Sequence, residues 1–92
     1  MKIRAEFFAD LRDKVGAASM DVIIDGETVL DLIERIDGIL SGKFKDLMVQ
    51  GDGLKDLIKI LVNGTDIRGL NGLQTRLKEG DAVAFFPPVA GG

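Results

Sequence analysis

The chain contains no cysteine, histidine, tyrosine or tryptophan. Those absences exclude thiol nucleophiles, disulfides, cysteine–histidine zinc sites, serine–histidine triads and an imidazole acid–base at neutral pH. Phenylalanine, at five residues, is the only aromatic, and proline occurs twice. No apolar run approaches the roughly 18 residues of a membrane-spanning helix. Met1-Lys2-Ile3-Arg4 leads into alternation, not into the continuous apolar stretch of a signal peptide. We therefore expect a cytoplasmic protein with no membrane partner. Surplus positive charge is missing as well: 12 Lys and Arg face 15 Asp and Glu, for a net charge of -3. Binding to a phosphate backbone draws on excess cations, so nucleic acid is not an expected partner.

What is present describes one small unit. At 92 residues, 46% hydrophobic and 29% charged, the composition is ordinary for a globular protein and supplies one modest core. We expect a single domain over residues 1–92. Catalysis would have to come from carboxylates, lysines and hydroxyls on a body too small for a deep pocket. That favours a binding or carrier protein over an enzyme, with no bound cofactor and no metal site.

Periodicity gives the elements. Ile3, Ala5 and Phe7 alternate with Lys2, Arg4 and Glu6. This is a half-buried strand over residues 2–8, with Phe8 on the face opposite the core. Residues 9–19 read as a loop with one helical turn around Leu11 and Val15. Met20, Val22 and Ile24 mark a second strand, ended by Asp25-Gly26 and hairpinned to the first. Thr28 followed by Asp31 is a capping-box pattern, and Val29, Leu32, Ile33, Ile36 and Leu40 recur at spacings of three and four, which predicts a helix over residues 29–40. Residues 41–55 mix weak helical spacing with turn signals and are the least defined segment. Residues 57–62 form a nearly continuous apolar run closed by Asn63-Gly64, which reads as a central strand entering a hairpin, with residues 66–68 pairing back. A crossover or single turn follows, and residues 82–86 are the last strand, stopped by Pro87-Pro88. The order gives one sheet with one long helix across a face, an α+β arrangement.

The sharpest feature is the ending. Gly91-Gly92 has no side chains to obstruct a narrow channel, so it suits insertion into another protein's active site to present a terminal carboxylate. Pro87-Pro88 stiffens the base of what we expect to be a flexible tail over residues 87–92. Adjacent strand residues point to opposite faces, so Phe8 and either Phe85 or Phe86 should lie on the open face. That predicts an apolar patch near the tail, a mark of an interface, unless residues 41–55 fold over it or a dimer hides it. Other signals carry less. Asn63-Gly64-Thr65 matches a glycosylation sequon but reads as a turn, and Gly51-Asp52-Gly53 lacks the helix that a phosphate cradle needs. The acidic pairs Asp31 with Glu34 and Asp10 with Asp13 read as solvated charge, as do Arg12, Lys43, Lys45 and Arg68.

Read together, Phe7-Phe8-Ala9-Asp10-Leu11-Arg12, Val62-Asn63-Gly64, Leu77-Lys78-Glu79-Gly80-Asp81-Ala82-Val83 and Phe85-Phe86-Pro87-Pro88-Val89-Ala90-Gly91-Gly92 resemble the MoaD family. That family is the small, sulfur-carrying subunit of molybdopterin synthase. The resemblance spans nearly the whole chain; a doubled glycine alone would also fit the thiamine sulfur carrier ThiS and ubiquitin-like modifiers, and the Phe-Phe-Pro-Pro-Val approach favours MoaD. It implies a ubiquitin-like β-grasp fold, a mixed sheet of four to five strands with one long helix on one face. It further implies that a MoeB-like, ubiquitin-activating-type adenylyltransferase uses ATP to adenylate Gly92 and that a sulfur donor converts the adenylate to a thiocarboxylate. A MoaE-like large subunit would then receive the sulfur for the dithiolene of a molybdenum or tungsten pterin cofactor. On this resemblance Gly92 carries the chemistry, Gly91 permits passage, and Phe8, Phe86, Pro87, Pro88 and Arg12 contact partners. Residues 41–55 depart from it, being longer than the link expected there. The same tail would also suit a modifier joined to lysines, a thiamine-pathway carrier, or a plain interaction domain whose glycines are incidental.

Overall fold

A computed structural model describes residues 1–88 of the chain. Strand β1 (Lys2–Phe7) pairs antiparallel with β2 (Ser19–Ile23), with Ile3 opposite Val22 and Ala5 opposite Met20. Ile3, Ala5 and Phe7 are fully buried, as their alternation predicts. The link contains the expected helical turn, α1 (Leu11–Val15), anchored by buried Leu11 and ended by Gly16 in the left-handed conformation.

Helix α2 (Val29–Ile39) starts at a complete capping box. The Asp31 amide donates to Thr28 Oγ1 at 3.2 Å, while Asp31 Oδ2 accepts from the amides of Thr28 at 3.1 Å and Glu27 at 2.9 Å. Those donors, the Thr28 amide foremost, hold the Asp31 carboxyl below the usual aspartate range. A side chain at Gly26 would run into this carboxylate, which accounts for the glycine there. Val29, Leu32, Ile33 and Ile36 form the buried stripe.

Residues 41–55 turn out to be built into the core. Ser41 and Gly42 reverse the chain at positive φ, and α3 (Lys45–Met48) leads into a small hairpin of β3 (Val49–Gln50) and β4 (Gly53–Leu54). Asp37 Oδ1 ties this segment to α2, accepting from the amides of Lys45 at 2.7 Å and Phe44 at 2.9 Å. Both bonds favour the ionised form, so the Asp37 carboxyl also lies below its ordinary range. The fully buried ring of Phe44 packs edge-on against Phe7 and Phe85, with centroids 5.8 and 5.3 Å away.

Strands β5 (Lys59–Val62) and β6 (Thr65–Asp66) form the second hairpin. Its turn residues, Asn63 and Gly64, both have positive φ, as a primed two-residue turn requires. Strand β7 (Ala82–Phe86) completes a sheet of order β2-β1-β7-β5-β6, in which only β1 and β7 run parallel. This mixed five-stranded sheet with α2 packed on one face is the β-grasp fold.

Two expectations need correction. The strand read over residues 57–62 is interior, paired with β7 on one side and β6 on the other, but it begins only at Lys59. Leu57 is 71% exposed in the preceding turn. The cause is Arg68, which is no idle surface charge: its guanidinium donates to the carbonyls of Ile58, Lys55 and Asp56 and ties them into a turn instead of a ladder.

Candidate functional site

The site grows from the parallel pairing of β1 and β7. Phe7 stands opposite Phe85 in the register, so the next residue on each strand, Phe8 and Phe86, emerges on the far side of the sheet. The inner pair stacks at 5.6 Å within the core, and the outer pair stacks at 4.4 Å with an interplanar angle of 10°. The Phe8 amide donates to the Phe85 carbonyl at 3.2 Å, holding the strands together one residue beyond β1. Of the two candidates for the open face, the structure therefore selects Phe86. Both outer rings are half-buried.

Arg12 joins them from α1. Its Nε donates to the Phe7 carbonyl at 2.8 Å, and its guanidinium carbon stands 5.4 Å from the Phe8 centroid, within cation–π range. Pro87 is buried and Pro88 exposed, so the chain leaves the body one residue later than the polyproline reading implies. Phe8, Phe86, Arg12, Pro87 and Pro88 thus gather around one exit. Gly91 and Gly92 lie outside the described residues.

Register adds neighbours that no sequence pattern could supply. Lys59 pairs with Phe86 across β5, and half-buried Leu61 pairs with Ala84 in the next row of the same face. Residues 41–55 do not cover this surface, because Phe44 and Met48 point into the core on the helix side. Two grooves lie elsewhere, one lined by Leu30, Lys45, Val49 and Leu73 and one by Asn71, Arg76, Lys78 and Asp81. What surrounds the exit is an open surface, outside both of these grooves.

Three of the four acidic candidates have structural partners. Asp31 caps α2, Glu34 pairs with Lys45 at 3.0 Å, and Asp10 stands 3.9 Å from Lys14. Asn63 links its turn to β7 through Asp81 and the Ala82 amide. Among the described residues no group of three metal-ligating side chains converges, and no helix is long and apolar enough to cross a membrane.

A β-grasp body with an aromatic clasp at the root of a glycine-ended segment defines a small ubiquitin-like protein. The chain belongs to the ThiS family, whose profile matches residues 5–92. It is 37% identical over 93 residues to small archaeal modifier protein 3 of Haloferax volcanii, with all of both chains covered. It is 41% identical over 75 residues to a putative sulfur carrier protein of Archaeoglobus fulgidus, covering 78% of this chain and 84% of the relative. Among solved structures, one chain of the Amycolatopsis orientalis BexX/CysO complex superposes with a TM-score of 0.84 at 31% identity, covering 98% of this chain and 99% of that one.

Proposed function

We propose that the protein is a ubiquitin-like sulfur carrier whose Gly92 carboxylate is the reactive end. A carboxylate is a poor acyl donor. An adenylyltransferase of the ubiquitin-activating type would let a Gly92 oxygen attack the α-phosphorus of ATP, with pyrophosphate leaving, to give an acyl-adenylate. A sulfur donor at the oxidation level of sulfide then attacks the acyl carbon and displaces AMP, leaving a thiocarboxylate. No side chain of this chain has to ionise or act as a nucleophile in either step, which suits a sequence without cysteine or histidine. The finer assignment is to molybdopterin synthase, with a MoaE-like large subunit as acceptor, and it rests on the Phe85 to Gly92 ending.

The observation that carries the reading is the Phe8–Phe86 clasp at the exit of a family member whose match runs to residue 92. The clasp gives an enzyme something to grip at the root of the segment it must act on. A second reading, a modifier joined to lysines, draws on full-length similarity to an archaeal modifier protein. Both readings share the adenylation step and differ in the acceptor.

The test is intact mass after incubation with ATP, the adenylyltransferase and a sulfur source, with fragmentation of the terminal peptide. Replacement of one oxygen by sulfur at Gly92 supports the carrier. An unmodified chain, with an enzyme proven active on another carrier, refutes it, and lysine adducts recovered from cells favour the modifier.

A further inference from the structure

Leu57 is the most exposed large apolar side chain of the described residues, at 71%. An exposed leucine on a loose loop can fold back onto the body, but this one cannot. Arg68 donates Nη1 to the Ile58 carbonyl at 2.6 Å, and Nη2 to the carbonyls of Lys55 at 2.8 Å and Asp56 at 3.1 Å. The Arg68 amide is itself fixed by Asp66 Oδ1 at 2.8 Å. The Ile58 amide closes the turn onto the Lys55 carbonyl at 3.1 Å, and the Ile58 side chain is buried in the core beneath it. Every carbonyl from Lys55 to Ile58 except that of Leu57 thus accepts an Arg68 proton, and the apolar side chain is held in water.

Position gives that arrangement a use. Lys59, two residues further on, is the register partner of Phe86, so Leu57 stands at the end of the sheet from which Pro88 departs. Residues 89–92 span at most about 14 Å when fully extended. An enzyme that works on Gly92 must close to within that reach of Pro88. Its rim therefore meets the surface around the exit, where Leu57 is the most exposed large apolar side chain beside the half-buried rings of Phe8 and Phe86.

We propose that Leu57, held out by Arg68, is a second apolar anchor for the enzyme that adenylates Gly92, entering an apolar socket beside the contact made by Phe8 and Phe86. The inference rests on the carrier reading above. The activating enzyme is the occupant because sulfur transfer and lysine conjugation both begin by activating an unreactive carboxylate. Arg68 acts as a positioning residue and makes no contact with the reacting atoms.

ATP–pyrophosphate exchange by the activating enzyme tests this, with the full chain as the varied substrate. Leu57→Ser should raise the KM for the carrier at least about tenfold with kcat changed less than about twofold. Leu57→Met should restore it, since methionine fills an apolar socket of similar volume. Arg68→Ala should raise KM to a smaller extent and speed amide exchange around residue 58. Because Leu57 is exposed, the urea midpoint of Leu57→Ser should match that of the parent chain. An unchanged KM for Leu57→Ser, alongside lost exchange on removing Gly92, overturns the anchor and leaves the carrier reading standing. Absence of exchange with the parent chain overturns both. Loss of self-association in sedimentation with KM unchanged assigns Leu57 to a second copy of the chain and also overturns the proposal.

Discussion

Truncating Phe86 to alanine opens the outer clasp, and its geometry sets the size of the effect. The Phe8 and Phe86 rings lie 4.4 Å apart and nearly parallel, closer than the 5.6 Å of the inner Phe7–Phe85 pair. Such a pair contributes about 0.5–1.5 kcal/mol beyond the area it buries. A fully buried phenylalanine costs about 3–5 kcal/mol on truncation, and Phe86 is half-buried, so Phe86→Ala should cost about 2 kcal/mol. A small domain with about 5–15 kcal/mol of stability survives that loss. The assay is a double-mutant cycle of Phe8→Ala and Phe86→Ala by urea unfolding. Each single variant should lower stability by about 2 kcal/mol and the double by about 3 kcal/mol, for a coupling near 1 kcal/mol. A coupling below about 0.3 kcal/mol would refute the idea that the rings act as a unit. Calorimetric titration of folded Phe86→Ala with the activating enzyme should show affinity reduced at least about tenfold, and an unchanged affinity would sink the docking role.

Phe44→Ala should destabilise by about 3–5 kcal/mol, because the ring is fully buried edge-on between Phe7 and Phe85. Thermal melting should show a fall of at least about 12 °C, and a fall under about 4 °C would mean that residues 41–55 are not integral to the core. Asp37→Asn should flatten the acid limb of stability. The folded carboxyl titrates below its ordinary value because the Lys45 and Phe44 amides bond to the ionised form. Its contribution is therefore complete above the usual carboxylate range, near pH 4, and is lost as pH falls through the lowered folded value. Urea midpoints measured from pH 7 to pH 3 should drop less steeply for Asp37→Asn than for the parent, and equal slopes would refute the assignment.

Much of this architecture is legible in the residues because it is periodic. Alternation at Ile3, Ala5 and Phe7 places β1 and its faces, and the same parity argument puts Phe8 and one of Phe85 and Phe86 outside, the choice of Phe86 coming from the register with β1. Thr28 and Asp31 announce the start of α2 through a local hydrogen-bond pattern that needs no tertiary information. Residues 41–55 resist because their order comes from remote partners: Phe44 from two rings on other strands, and the turn before it from the Asp37 carboxylate. A four-residue helix and a hairpin of two-residue strands are too short for any period to register. Leu57 misleads for a related reason. It continues the apolar run into β5, and only the Arg68 guanidinium, arriving from beyond the hairpin, turns it outward. Lys59 joins the exit through strand register alone, which composition does not encode.

The parallel contact of Arg4–Phe7 with residues 82–85 joins nearly the two extremes of the sequence through the middle of the sheet. Strand β7 is made after every other strand described, and the sheet is continuous only once it lies between β1 and β5. Contacts of such sequence separation close late and slowly. Phe8 and Phe86 meet only when that last strand is seated, so the outer clasp certifies a finished sheet. On the carrier reading proposed above, an enzyme gripping both rings at once would engage only a chain whose sheet is complete.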